Sequence, residues 1–97
     1  MKIEHLQYLL EIIECSSFNK ASKSLHINNQ HLARSITSLE DEIGVKILDR
    51  NHKGIEITKE GQIVVDYAKD VVEKNKQLLN HFQQNTQTDN ITIYSLN

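Results

Sequence analysis

Proline and tryptophan are missing altogether from the 97-residue sequence, and cysteine and glycine are scarce, at one and three residues. The single cysteine, Cys15, rules out an internal disulfide and suits a reducing cytosol. It reads as a small buried hydrophobe, with an oxidant-sensing thiol as the alternative. Three scattered glycines cannot build a phosphate-cradling loop. With two Phe, three Tyr and no Trp, the core has to be aliphatic, and the length suffices for one small domain. Long apolar runs are also missing. The opening MKIEHLQYLLEIIE interleaves three glutamates with its apolar residues, unlike a secretory signal or a membrane span, so a cytoplasmic protein is expected.

Excess positive charge is lacking as well: 11 basic against 13 acidic residues give a net charge of −2. The distribution is uneven. Residues 20–59 hold seven of the basic residues against five acids, while both flanks are acidic. The acids of the middle segment gather at Glu40, Asp41 and Glu42. His26, His31 and His52 lie in the same segment and can add positive charge close to phosphate.

What is present in that segment is a pattern of two short helices and a tight turn. Ser17 is a candidate N-cap for a helix with Phe18, Ala21 and Leu25 on one face. His26 and Ile27 break the pattern. Asn28 is a second N-cap, and the next helix carries Leu32, Ile36, Leu39 and Ile43 on one stripe before Gly44, which can take the left-handed conformation that ends a helix. Two helices joined by a turn of about 3–4 residues, with one buried and one free face, form a helix-turn-helix, spanning about residues 18–37.

Around it, a first helix is predicted from about Glu4 to Cys15, with Leu6, Leu9, Leu10 and Ile13 inward. Val45 to Arg50, a turn at Asn51-His52-Lys53-Gly54, and Ile55 with Ile57 predict a two-stranded wing. Thr58 is placed to cap a helix running without proline to about Asn85, with Gly61 in its first turn. Val64, Ala68, Val71, Asn75, Leu78 and Phe82 follow heptad spacing and predict a dimer seam, with polar Asn75 available to fix register; the alternative is that the helix folds back as a lid on its own domain. The tract QQNTQTDN from Gln83 reads as a linker, and ITIYSL as the first strand of a further domain that this chain lacks.

Taken together, SFNKAS.SLHI followed by LARSI..LE.EIGVKILDR and ITKEG resembles the N-terminal domain of LysR-type transcriptional regulators, from Met1 to about Ala68, and the long helix fits that family's linker helix. The resemblance implies a mainly α fold: a winged helix-turn-helix over 1–58, a dimerising linker helix over 59–86, and over 87–97 a hinge and first strand of an absent effector domain. It also implies a bacterial regulator whose small-molecule effector acts only through that absent domain, and which forms a homodimer or a higher oligomer at full length. The departures fall at the head of the second helix. Asn28-Asn29-Gln30-His31 stands where the family has Ser-Gln-Pro or Ser-Gln-Ser and then a small or apolar residue, Ala33 replaces a phosphate-binding Ser, and the wing motif is Ile47-Leu48-Asp49-Arg50.

The chemistry follows from side-chain type. Asn29 and Gln30 can each pair bidentately with adenine, and Arg34 with guanine or a phosphate. Ser17, Lys20, Ser35 and Ser38 are candidate phosphate contacts, and Asn28 and His31 belong to the same head. Arg50 reads either as a DNA contact or as an ion-pair partner of Glu40 or Glu42. Lys53, at the wing tip beside the permissive Gly54, is placed for the minor groove or its backbone. His5, His31, His52 and His81 lie on separate elements without close spacing or cysteine partners, so neither metal nor cofactor is expected. No nucleophile sits near a base, which leaves no enzyme reading. The rival to a dimeric duplex-DNA binder is a winged-helix protein–protein interaction module, supported only by the acidic net charge.

Overall fold

The computed structural model describes residues 1–88. Helix α1 (Ile3–Cys15) is followed by α2 (Phe18–Leu25), α3 (Asn29–Ile43), a hairpin of β1 (Leu48–Asn51) and β2 (Gly54–Ile57), and a long α4 (Lys59–Thr88). The expected caps are in place: Ser17 Oγ accepts from the Lys20 N–H at 3.1 Å and Asn28 Oδ1 from the His31 N–H at 2.7 Å. Each satisfies an amide that a helix start leaves without a partner.

The two turns between helices are closed by left-handed residues, Ser16 at φ 55° and His26 at φ 60°. At His26 the Ile27 N–H donates to the Ser22 carbonyl at 3.0 Å and the His26 N–H to the Lys23 carbonyl at 3.2 Å. This pairing satisfies the last carbonyls of α2. His26 is exposed; its contribution to the turn is its backbone conformation.

One aliphatic core joins the helices. Leu6, Leu9 and Ile12 of α1 meet Ala21 of α2, Leu32, Ile36 and Leu39 of α3, Ile47 and Leu48, and Val64, Val65 and Ala68 of α4. The inward face of α1 is turned slightly from the one expected: Ile12 and Tyr8 are buried, whereas Leu10 and Ile13 are only half-buried. The shift reflects α1 lying along α4 as well as across α2 and α3, so its buried arc is wider than a two-helix contact requires.

The wing is shorter than the apolar run Val45 to Arg50 suggested. β1 begins at Leu48 and pairs antiparallel with β2, Leu48 opposite Ile57 and Asn51 opposite Gly54. Asn51 Oδ1 accepts from the Lys53 N–H at 2.8 Å, and Gly54 takes φ 118°, which completes the turn.

A compact junction ties α3, β1 and α4. The Glu40 carboxylate accepts from the amides of Ile47 at 2.7 Å and Leu48 at 3.2 Å. The Ile47 carbonyl accepts from the Thr58 N–H at 2.9 Å, the Thr58 hydroxyl donates to the Lys46 carbonyl, and the same oxygen accepts from the Gly61 N–H at 2.8 Å. Gly61 is there for lack of a side chain: a Cβ would stand 2.3 Å from the Ile47 oxygen.

Helix α4 differs from expectation in two ways. It extends to Thr88, through most of the tract read as a linker; without Gly or Pro, an established helix propagates at little cost per residue. The proposed seam is also divided. Val64 and Ala68 are buried in the domain's own core, Val71 and Asn75 are half-buried, and Leu78 and Phe82 are exposed. The first half of the heptad stripe therefore closes the fold of one chain. The ITIYSL tract lies outside the described residues.

Candidate nucleic-acid interface

The free face of α3 begins at its first turn. Asn29, Gln30, His31, Arg34, Thr37 and Ser38 are exposed, while Leu32, Ser35, Ile36 and Leu39 point into the core. Ser35 is thereby removed from the expected contact set. Its 5% exposure and its hydrogen bond to the His31 carbonyl at 2.9 Å follow from its position three residues after Leu32 and four before Leu39, inside the buried stripe. Ser38 remains on the surface, as does Lys20 on α2. Ser17 is half-buried with its hydroxyl engaged as a cap, and Asn28 is likewise engaged but exposed.

Two of the expected residues lean on neighbours. The ring of His31 meets Tyr8 of α1 edge-on, centroids 6.0 Å apart, and Tyr8 in turn stacks on His5 at 6.4 Å. His31 thus bridges to α1 at one border of the interface. Partial burial, with Lys2 beside it, lowers the pKa of His5 below the ordinary imidazole value. Asn29 donates from Nδ2 to Asn19 Oδ1 on α2 at 3.3 Å.

Arg50 joins β1 to the same face. Its guanidinium carbon lies 3.6 Å from the centroid of the Phe18 ring, a cation–π distance. Neither Glu40 nor Glu42 is its ion-pair partner: Glu40 is committed to the Ile47 and Leu48 amides and Glu42 to the Met1 ammonium. Between α2, α3 and β1 this leaves a groove lined by Phe18, Asn19, Asn29, Gln30, Ala33 and Arg50. Thr37 and Lys46 line its continuation toward the wing. Lys53 stands exposed at the wing tip.

Ala33 stands out in the sequence as a departure from the family, whereas Asn19, Thr37 and the use of Phe18 as a platform do not. For Thr37 the signal is available, since it follows Arg34 along the exposed helix face at a spacing of three. For Asn19 and Phe18 it is not, because their roles depend on the crossing of α2 with α3 and β1.

Chemically, the face offers amides, hydroxyls and two guanidinium groups, with no large hydrophobic exposed among them. Among the described residues the exposed large hydrophobics are Met1 and, all on α4, Ile63, Tyr67, Leu78, Leu79 and Phe82. Among the described residues no group of three or more His, Cys, Asp or Glu could hold a metal ion, and no helix is long and apolar enough to cross a membrane. Cys15 lies apart from the interface. Partial burial and the Glu11 carboxylate, which accepts its S–H at 3.4 Å, push its thiol pKa up, away from the thiolate that oxidants attack.

Comparison with known proteins points the same way. Residues 3–62 match the model of the bacterial regulatory helix-turn-helix protein, lysR family. The transcriptional regulator BenM of Acinetobacter baylyi is 37% identical over 68 residues, covering 70% of this chain and 22% of BenM. The dual regulator OxyR of Escherichia coli is 34% identical over 88 residues, covering 91% of this chain and 29% of OxyR. The chain thus spans under a third of the length of these curated relatives. Among solved structures, the BenM DNA-binding domain in complex with catB site 1 DNA superposes with a TM-score of 0.82 at 31% identity, over 87% of this chain and 94% of that one. The CbnR DNA-binding domain–DNA complex gives 0.80 at 27% identity, over 89% and 99%. A four-helix winged fold, the caps that open α2 and α3, and a family match over residues 3–62 place this chain in the LysR family of bacterial regulatory helix-turn-helix proteins.

Proposed function

We propose that this chain binds operator DNA in a sequence-specific manner as a homodimer, with the head of α3 in the major groove and the wing at the adjacent minor groove, and so regulates transcription in the bacterial cytoplasm. The observation that carries the reading is the composition of the free α3 face. Asn29, Gln30 and Arg34 offer paired donors and acceptors of the kind that read base edges, flanked by Lys20, Ser38, Arg50 and Lys53 for phosphates. The similar domains of BenM and CbnR were solved with DNA. A protein–protein module would call for apolar anchors on this face, and its exposed residues are polar.

Dimerisation is assigned to the exposed apolar residues of α4. Ile63 is 72% and Phe82 59% exposed, and Tyr67, Leu78 and Leu79 accompany them. So many large apolar residues on one helix mark an association surface. Val71 and Asn75 border it; Val64 and Ala68 support it from the core.

Anisotropy titrations of labelled promoter fragments at two salt concentrations test the function. Tight binding to one fragment over scrambled DNA, weakening steeply with salt, is the expected result. Equal affinity for every duplex defeats the sequence-specific reading. For assembly, sedimentation should give a dimer at micromolar concentration, and Leu78→Asp with Leu79→Asp a folded monomer; a wild-type monomer that binds its operator tightly contradicts the dimer.

A further inference from the structure

Asn19 and Asn29 are ten residues apart in sequence, on the two helices of the helix-turn-helix, and their side-chain amides meet at the groove. Both side chains are exposed, so the bond is not there to satisfy a buried group. A carboxamide is nearly symmetric in shape and opposite in polarity at its two ends: half a turn about its last bond exchanges donor for acceptor. An asparagine that reads adenine must present Oδ1 to the N6 amino group and one N–H to N7. In the flipped state it meets that edge with like facing like. Base discrimination by Asn29 therefore depends on whatever fixes its amide.

The geometry points to Asn19 as a specificity-determining positioning residue. Its Oδ1 accepts from Asn29 Nδ2, which holds the amino end of Asn29 toward α2. Nδ2 has two hydrogens. One is taken by Asn19, and the other stays beside Oδ1 to complete the bidentate edge. Asn19 itself touches no base; it acts through Asn29. This rests on the base-reading assignment of Asn29 made above.

The test starts from a duplex selected by the 97-residue chain from a randomised pool, with every base pair of its half-site then changed in turn. Asn29→Ala identifies the pair that Asn29 reads, as the one where discrimination collapses. A bidentate contact there is worth about tenfold or more in affinity. At that pair Asn19→Ala should lower discrimination about three- to tenfold with the thermal midpoint unchanged, and in the Asn29→Ala background, where the contact is already gone, it should take nothing further. Asn19→Asp keeps the acceptor and can only accept. It should weaken every duplex by a similar factor through repulsion from phosphate while preserving discrimination at the pair. Full discrimination in Asn19→Ala, or its loss in Asn19→Asp, overturns the assignment and leaves base reading by Asn29 standing. No collapse at any pair in Asn29→Ala overturns both.

Discussion

The two ends of α3 handle polar groups in opposite ways. At its C-terminal end, Glu40, the Ile47 and Leu48 amides, Thr58 and Gly61 consume one another's hydrogen bonds within a junction that joins three elements. At its N-terminal end, Gln30 and Arg34 reach into solvent with no protein partner among the hydrogen bonds and ion pairs of the described side chains, and Asn29 is held only by Asn19. A group whose bonds are already made adds stability and has nothing left for a ligand; an open one adds little stability and remains available. The same helix thus anchors with one end and leaves the other open to a ligand.

The most severe way to break the comparison is at Gly61. Gly61→Ala places a methyl against the Ile47 backbone oxygen, where no flexible side chain can yield. A loss of about 3 kcal/mol or more is expected, as overpacking against backbone lies at the top of its range. Thermal unfolding checks it, and a midpoint within a degree or two of wild type would show that α4 can shift away.

Next in size is Glu40→Ala, which strands two amides that a charged oxygen now satisfies. The expected cost is about 1.5–3 kcal/mol in urea unfolding. Glu40→Gln retains an acceptor and should lose less. DNA affinity at a temperature where the variants remain folded should stay near wild type, and a selective loss of operator binding would mean that the junction also shapes the reading face.

At the other end of the helix the signs should reverse. Gln30→Ala should leave the melting midpoint unmoved and cost about 1–3 kcal/mol on the selected operator, with little change on scrambled duplex. Lys53→Ala should weaken all duplexes alike and flatten the slope of log affinity against log salt by about one unit for each phosphate no longer neutralised. Salt titrations of both variants on both DNAs decide. Equal losses everywhere with a flatter slope for Gln30→Ala would recast the helix head as an anchor, leaving specificity to Arg34 or to DNA shape.

The smallest effect sharpens the comparison by stabilising. His26 holds a left-handed conformation between α2 and α3, which costs a residue with a Cβ about 1 kcal/mol or more. His26→Gly relieves this and loses some chain entropy, for a net gain of about 0.5–1 kcal/mol in chemical denaturation. Because the imidazole is exposed and lies outside the groove, operator affinity should not change. A loss of stability would indicate that the ring supports the turn after all.

Much of this was legible residue by residue. Ser17 and Asn28 announced their helices, because a cap is a bond between residues three apart and needs no tertiary partner. Gly44 and Gly54 announced an end and a turn through backbone freedom alone. Leu32, Ile36 and Leu39 gave the buried stripe of α3 by spacing. The site was less legible where spacing and chemistry disagreed: Ser35 looks like a phosphate ligand by type and lies in the core by position, while Thr37 belongs to no motif and is legible only through its spacing on the open face.

Local pattern by itself determined the elements, their caps and the division of α3 into buried and free faces, since these depend on interactions within a few residues of chain. Tertiary structure alone decided how the elements share their surfaces. Heptad spacing from Val64 to Phe82 marks an apolar stripe but not its occupant, and only the packing of α1 along α4 shows Val64 and Ala68 spent on the domain's own core, with Leu78 and Phe82 left outside. The same holds for the stacking of Arg50 on Phe18 and the pairing of Asn19 with Asn29. Each joins groups whose proximity is set by the crossing of helices and hairpin, a long-range geometry that no short window of sequence encodes.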